Sequence, residues 1–461
     1  MESGDITVAS SDHASPYKAE TSKSFSDSDE TAHHPAANIS SRPSSLKSAR
    51  NEATSPLDTR VEKRVTIRSE RSLRQTISSR QGTGIIDGEH TPAKLTIFQC
   101  IKAVLFASKL NVLLIFFPLG IIADKLHWGD IPIFVLNFVA IVPLAKRYAT
   151  EELALRLGQN LGALLNASFG NAVELILSVI ALKSGQIDVV QASVLGSVLS
   201  NLLLVLGCCF IFGGIKFKAQ TFNQTAAQTS ASLLSLSCLS LLIPAAFHAT
   251  ATEVDQTSNI QHLSYGVSIV LLIVYILYLF FQLKTHTHLY ATEEDEEEEP
   301  LLPLWFSVVL LLIVTVIVAF CADYLVGSIG GLSEKWNISP TFIGLILLPI
   351  VGNAAEHVTA VSVAMKNKMD LAIGVAIGSS MQIALFVTPL MVIIGWGIGQ
   401  PMTLFFNTFE TCVLFVSVLI VNYLIQDGES NWLEGVMLIC TYIIVAIAVY
   451  FYPASAIASH A

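Results

Sequence analysis

The sequence is poor in charge and has no excess of positive charge. Charged residues make up 13% of its 461 residues, whereas soluble domains carry about 25%. The formal net charge of −10 excludes nucleic-acid binding, because such proteins need a basic face. Seven cysteines in so long a chain exclude a disulfide-rich secreted scaffold. Neither a HExxH nor a GxSxG motif occurs, and we therefore do not expect an enzyme.

The first 94 residues lack long apolar runs. They contain 13 Lys and Arg against 13 Asp and Glu, which leaves 13 against 23 for residues 95–461. A segment this polar cannot bury enough surface to offset its ordering entropy, so we predict a disordered tail. It also has no apolar core of the signal-peptide type. The whole net charge therefore belongs to the apolar remainder of the chain.

That remainder consists of apolar stretches of about 20 residues, the length that spans a bilayer as a helix. Lipid offers backbone groups no other partner, so every span is predicted to be helical. The chain is thus predicted to be an all-α polytopic membrane protein with eleven transmembrane helices. The predicted spans lie near 110–126, 131–149, 158–182, 189–213, 226–247, 264–283, 303–327, 340–365, 371–397, 402–424 and 433–452.

Basic residues are unequally shared between the loops on the two sides of these spans. With the tail on the cytosolic side, eight Lys and Arg fall on that side and three on the other. The positive-inside rule therefore predicts a cytosolic N-terminus. An odd number of spans then puts the C-terminus in the lumen or outside the cell.

Two segments of the sequence match each other without a gap. Residues Gly170–Ser197 and Gly352–Ser379 share Gly-Asn-Ala-x-Glu, then Asp, then Gly-Ser, at a constant offset of 182. Five spans separate equivalent helices, and because five is odd, the two copies cross the membrane in opposite directions. Inverted repeats of this kind are typical of secondary transporters. We therefore predict one extra N-terminal helix followed by two inverted five-helix repeats.

These features divide the chain into five parts. A run of acidic residues separates the two halves and consists of Glu293, Glu294, Asp295, Glu296, Glu297, Glu298 and Glu299. Taken alone, the run is a solvated linker, but on the cytosolic face of a cation transporter it would gather or sense cations. The predicted parts are a cytosolic tail 1–94, a first transmembrane segment 95–127, a first repeat 128–290, an acidic linker helix 291–301 and a second repeat 302–461.

Glu174 and Glu356 are the two motif glutamates, and both lie well inside predicted spans. A charge at the bilayer centre costs about 2.5–3.5 kcal/mol on insertion scales, so such a residue indicates function. Two carboxylates suit a hard divalent cation, which prefers oxygen ligands. The alternative is a pair of protonated glutamates that join helices. Pro349 removes a backbone hydrogen bond before the second motif, so a local break there could free carbonyl oxygens.

Small and polar residues accompany both glutamates. The motif glycines allow close helix approach, and the asparagines offer an amide oxygen or a donor. His357 follows Glu356 directly and is a candidate for a proton relay or a bond to a neighbouring helix. The predicted cation site comprises Glu174, Glu356, Asn171, Asn353, Ser379, Gln382, Gly170 and Gly352.

The doubled GNAxE motif, the Gly-Ser element and the acidic run between the halves resemble the cation/proton exchanger family of the calcium/cation antiporter superfamily. Residues 95–461 are similar to its fungal vacuolar branch. The resemblance implies that Glu174 and Glu356 bind the cation and exchange it for protons. It also implies that the acidic helix lies at the cytosolic mouth and that the protein lies in the vacuolar membrane.

The expected function is exchange of cytosolic Ca²⁺ for lumenal H⁺ by alternating access, with no cofactor. Mn²⁺ is a second candidate substrate because it also prefers oxygen ligands. A sodium/calcium-type exchanger and a calcium-permeable channel are the alternatives, since the residues alone do not distinguish H⁺ from Na⁺ as the counter-ion. The sequence does not define an oligomeric state.

Overall fold

The computed structural model describes residues 96–106, 108–145, 148–157, 159–250, 256–289 and 300–452. The predicted tail 1–94 and the acidic run 293–299 lie outside the described residues. The described helices are α1 Ile97–Phe106, α2 Phe116–Lys125, α3 Asp130–Leu144, α4 Tyr148–Leu157, α5 Gln159–Phe169, α6 Ala172–Lys183, α7 Ile187–Gly214, α8 Gln224–Thr250, α9 Gln256–Phe280, α10 Leu304–Gly327, α11 Ile329–Trp336, α12 Pro340–Gly352, α13 Ala354–Ala364, α14 Met369–Ile398, α15 Thr408–Leu424 and α16 Trp432–Phe451. Two short antiparallel strands, β1 Gln220–Thr221 and β2 Glu429–Ser430, pair with each other.

The predicted helical character is confirmed for the described residues, which are mostly helical apart from the two short strands β1 and β2. Seven helical segments are long and apolar enough to cross a membrane when α3 and α4 (Asp130–Leu157) count as one, and nine if each of the bent pairs α1–α2 and α11–α12 also counts as a span. Burial differs widely among them. In α7, 83% of an apolar 18-residue stretch is buried inside the protein, against 17% of such a stretch in α10. An apolar helix with that much exposed surface is suited to lipid rather than water. Helix α7 therefore lies at the centre of the bundle and α10 at its periphery.

Local sequence signals define several helix ends. Ser339 caps α12 by accepting a hydrogen bond from the Phe342 N–H at 3.1 Å, and Pro340 follows as the first helical residue. Asn337 ends α11 in the left-handed region at φ 52°, which asparagine tolerates better than most residues. As a result, α11 and α12 meet at an angle of 114°.

Helices α7 and α14 run antiparallel with matched ends. Near the start of α7, the Gln191 amide donates to the carbonyl of Thr403, just beyond the end of α14, at 3.1 Å. Beyond the other end of α7, the Gln220 amide donates to the Asn367 side-chain oxygen, just before α14 begins, at 3.0 Å. Each end of α7 is thus fastened to the opposite end of α14.

The two helices cross at residues that the sequence offset relates. Ser380 Oγ donates to the carbonyl of Val198 at 3.4 Å, and these positions differ by 182. Directly after the crossing, each helix opens into a π-helical segment, Ser200–Val205 in α7 and Ile383–Val387 in α14. Both segments end at positions 182 apart. Such π segments occur frequently at functional sites.

Candidate cation-binding site

Both motif glutamates lie in the first turn of a helix that follows a break. Helix α5 ends before Gly170 and Asn171, and Glu174 lies in the first turn of α6. Helix α12 ends at the turn residue Asn353, and Glu356 lies in the first turn of α13. A helix start has free N–H groups and a positive dipole end, which favour a carboxylate. The predicted spans 158–182 and 340–365 are therefore each two helices.

The Glu356 carboxylate is buried between α7 and α14. Its Oε1 accepts a hydrogen bond from Ser379 Oγ at 2.9 Å, and its Oε2 accepts one from Asn201 Nδ2 at 3.3 Å. Only 7% of the residue is exposed. Polar groups from two other helices thus hold this carboxylate in place.

The Glu174 carboxylate, equally buried, lies against the motif glycine of the other half. A Cβ atom on Gly352 would lie 2.7 Å from Glu174 Oε1. That is closer than real Cβ contacts come, so only glycine leaves room for the carboxylate in this position. Glu174, from the first half, therefore occupies space that a side chain at Gly352, in the second half, would fill.

Three asparagine side chains near these glutamates have unsatisfied amide oxygens. Asn171 Nδ2 donates to Gln382 Oε1 at 2.9 Å, and Asn353 Nδ2 donates to the carbonyl of Ser197 at 3.4 Å. The Oδ1 atoms of Asn171, Asn201 and Asn353 are buried, and none has a hydrogen-bond partner within the described part of the chain. A buried acceptor without a partner is costly, and a bound cation would satisfy it.

The His357 side chain contacts α7 beside the site. Its Nε2 shares a hydrogen bond of 3.3 Å with Ser200 Oγ. Ser200 begins the π segment of α7 and precedes Asn201, which contacts Glu356. His357 and Glu356 therefore form hydrogen bonds with consecutive residues of α7.

The chemistry of the site is that of oxygen donors. Within the described ranges, no group of three or more His, Cys, Asp and Glu side chains could hold a metal ion. Two carboxylates with neutral amide and hydroxyl oxygens suit one hard divalent cation. Gln382, predicted as a ligand, uses its amide oxygen to orient Asn171.

Asn201 contacts Glu356 but lies outside the predicted set of eight residues, although its place beside the Gly-Ser element makes it a candidate extra oxygen ligand. Its only sequence signal is its place four residues after the first Gly-Ser element, and the equivalent position in the second half is Ile383. A search for residues shared by the two halves therefore overlooks it. The predicted acidic run, the other candidate cation-binding feature, lies outside the described residues.

Comparisons with known proteins identify a family and several relatives of this chain. The family model described as sodium/calcium exchanger protein matches residues 130–284 and 306–451. The vacuolar calcium ion transporter of Schizosaccharomyces pombe is 53% identical over 365 residues, which cover 78% of this chain and 89% of the transporter. The Ca²⁺/H⁺ antiporter of Synechocystis sp. is 49% identical over 361 residues, which cover 74% and 97%.

Solved structures share the fold. Native YfkE has a TM-score of 0.65 and 36% sequence identity, over 74% of this chain and all of YfkE. The H⁺/Ca²⁺ exchanger CAX, at 14% identity and a TM-score of 0.58, supports the fold alone. Since the family model covers well over half of the residues, the chain belongs to the sodium/calcium exchanger protein family.

Proposed function

We propose that the chain is a secondary active antiporter that exchanges cytosolic Ca²⁺ for lumenal H⁺ and so loads calcium into an acidic organelle. The observation that carries the proposal is a pair of buried glutamates, each at a helix break, with Glu174 lying against the motif glycine Gly352 that precedes Glu356. Three buried asparagine oxygens of the same two motifs and of α7 have no hydrogen-bond partner among the described residues. Relatives named vacuolar calcium ion transporter and Ca²⁺/H⁺ antiporter support the same substrates.

Exchange follows from the ligand chemistry. Asparagine and serine ligands do not titrate near neutral pH, so Glu174 and Glu356 are the groups that can exchange charge. When both are ionised, their two negative charges balance one Ca²⁺. When the lumenal face is acidic, protonation removes those charges and releases the ion. Calcium and protons thus compete for the same two carboxylates, which couples their movements in opposite directions.

His357 and the acidic run have supporting roles in this proposal. The bond between His357 and Ser200 lies beside the Asn201–Glu356 contact, which offers a proton a route between α13 and α7. The run from Glu293 to Glu299 provides negative charge that concentrates cations at the cytosolic mouth.

The proposed topology has eleven spans, one extra helix and two inverted five-helix repeats. The sixteen described helices are compatible with this number if the broken pairs α5–α6 and α12–α13 count as one span each and the short helices α1, α4 and α11 are not counted. The antiparallel crossing of α7 and α14 at Val198 and Ser380 supports the inversion. We place the N-terminus in the cytosol, the C-terminus in the lumen and the protein in the vacuolar membrane, with the domain boundaries that the sequence predicts.

The experiment is calcium uptake into proteoliposomes driven by an imposed pH gradient. We expect wild-type uptake that collapses with the gradient, and loss of uptake in Glu174→Gln and Glu356→Gln at unchanged protein yield. The exposed Glu334→Gln is the matched control. Normal uptake in either buried-site variant contradicts the assignment.

The same vesicles separate the alternatives. Uptake driven by a sodium gradient instead of a pH gradient would identify the sodium/calcium type. Calcium flux that runs down its own gradient without moving protons would identify a channel. Competition of Mn²⁺ with Ca²⁺ for uptake tests the second substrate.

A further inference from the structure

Helices α7 and α16 pack with their backbones in contact. A Cβ atom on Gly435 of α16 would lie 2.6 Å from the carbonyl oxygen of Gly207 in α7, and a Cβ atom on Gly207 would lie 3.0 Å from the carbonyl oxygen of Gly435. Further along, a Cβ atom on Gly214 would lie 2.6 Å from the Trp432 Cβ, so the two helices run in opposite directions. Small residues are what allow two helices to approach so closely. This contact determines which residues of α16 face α7 over the following turns.

Tyr442 of α16 faces the start of the π segment of α7. It lies seven residues after Gly435 (442 − 435), and Ser200 lies seven residues before Gly207 (207 − 200), so the antiparallel helices bring the two together. Only 5% of Tyr442 is exposed, and its hydroxyl lies beside that of Ser200. The Tyr442 hydroxyl nevertheless has no hydrogen-bond partner among the described residues. Because a buried hydroxyl without a partner is costly, packing alone does not explain why this residue is tyrosine rather than phenylalanine.

Ser200 occupies the position at which each crossing helix contacts a glutamate motif. Its Oγ shares a hydrogen bond of 3.3 Å with His357 Nε2. Adding the offset of 182 gives Gln382, whose Oε1 accepts a hydrogen bond from Asn171 Nδ2 at 2.9 Å. Glutamine reaches the motif by its length, whereas serine is short and its hydroxyl rotates to suit its neighbours. A second partner therefore fixes the direction of the Ser200 hydroxyl, and Tyr442 is placed to be that partner.

We propose that Tyr442 is a positioning residue of the cation site, and that its hydroxyl bonds Ser200 Oγ when the π segment of α7 closes on a bound cation. Ser200 directly precedes Asn201, whose Oδ1 has no partner among the described residues and turns to the cation. A cation that draws in Asn201 also shifts Ser200, and the gap to the Tyr442 hydroxyl closes. Tyr442 thus raises cation affinity without touching the ion. This inference rests on the proposed function, because it requires calcium at this site.

The test is the Tyr442→Phe variant, which keeps the ring and removes only the hydroxyl. Loss of an unpartnered hydroxyl should not lower the melting temperature, and a merely structural hydroxyl would also leave calcium uptake unchanged. We expect instead that the calcium KM of pH-driven uptake rises about three- to tenfold, with little change in the maximum rate. Tyr450→Phe, at an exposed tyrosine of the same helix, is the matched control and should keep the wild-type KM.

A double-variant cycle identifies the partner of the hydroxyl. If Tyr442 acts through Ser200, then Ser200→Ala alone and Ser200→Ala combined with Tyr442→Phe should have the same calcium KM, whereas independent effects would multiply. Calorimetric titration of the purified variants makes the same comparison without transport. Wild-type calcium affinity in Tyr442→Phe, or effects that multiply, overturn the role of Tyr442. Absence of pH-driven uptake in the wild-type protein overturns the proposed function itself.

Discussion

At the scale of single residues, the site relies on neutral oxygens as much as on charge. Two carboxylates balance one divalent cation, and further acids would make the empty site harder to keep buried. In the proposed site the additional donors are instead the Oδ1 atoms of Asn171, Asn201 and Asn353, which have no hydrogen-bond partner among the described residues. Neutral ligands of this kind add coordination without adding a group that protons could neutralise.

Asn201 offers a specific test of this division of roles. Replacing it by alanine removes a hydrogen bond to the Glu356 carboxylate and a free amide oxygen. A hydrogen bond to a charged group contributes about 1.5–3 kcal/mol, so we expect calcium affinity to fall by about tenfold or more. Calorimetric titration of the purified Asn201→Ala variant measures this.

The control is Asn422→Ala, which breaks a partly buried hydrogen bond to Ser235 away from the site. It should lower thermal stability and leave calcium affinity unchanged. An Asn201→Ala variant with wild-type affinity would show that its amide oxygen is not a ligand.

A side chain at position 352 is predicted to move the Glu174 carboxylate. An added methyl group would lie 2.7 Å from Glu174 Oε1 and would displace the carboxylate. Overpacking costs about 1–3 kcal/mol, which predicts calcium binding weaker by about tenfold to a hundredfold in Gly352→Ala. Gly266→Ala, where nothing lies within 4 Å in the described structure, should bind normally. Equal affinities in the two variants would contradict the contact.

Residue pairs repeated in both halves could be predicted as site residues from the sequence, and residues without a counterpart are marked only by their place in the chain. Glu174 and Glu356 stand out because each is a rare charge in an apolar segment and each repeats the other. Asn201 is opposed by Ile383, so nothing in the repeat marks it. That Gly352 makes room for Glu174 depends on how the halves face each other, which one-dimensional spacing does not contain.

At the scale of secondary-structure elements, the helix breaks are the feature that the sequence predicts least well. Pro349 indicates a break in the second half, which occurs four residues later at Asn353. The first half breaks at the equivalent place with Ala167 where the proline would be. Hydropathy counts apolar length and cannot separate one long helix from two short ones. The π segments after the crossing likewise have no signature in composition.

The hydrogen bonds that Glu152 in α4 accepts from the Leu301 and Leu302 N–H groups, here called the α4 anchor, predict a stability effect at this scale. In Glu152→Ala the N–H groups of Leu301 and Leu302 lose their shared acceptor, and Arg156 loses a neighbouring counter-charge. Breaking buried bonds to a charged group costs about 2–4 kcal/mol, so the melting temperature should fall by several degrees. Thermal unfolding in detergent measures the change.

The matched control for this variant is Glu334→Ala. Glu334 occupies the equivalent position in the second half, 182 residues later, and is exposed. Its replacement should change stability by less than about 0.5 kcal/mol. Similar melting temperatures for the two variants would mean that the α4 anchor contributes little.

At the scale of the whole molecule, the site exists only where the two halves meet. Asn171 bonds Gln382, Asn201 bonds Glu356, and Glu174 occupies the space at Gly352, so each contact joins one half to the other. Neither half holds a complete set of oxygens. Occupying the site should therefore stabilise the docking of the halves, and with it the fold.

Calcium is accordingly expected to raise the melting temperature of the wild-type protein. Free ligand at 100 times its Kd stabilises a folded protein by about 2.7 kcal/mol, because the ligand binds the native state and not the unfolded state. For a chain of this size that corresponds to a rise of a few degrees. Glu174→Gln and Glu356→Gln should lose the rise, whereas Glu334→Gln should keep it, and chelation should reverse it. A calcium-dependent rise that persists in both buried-site variants would place the stabilising site elsewhere, and the acidic run between the halves would then be the segment to replace.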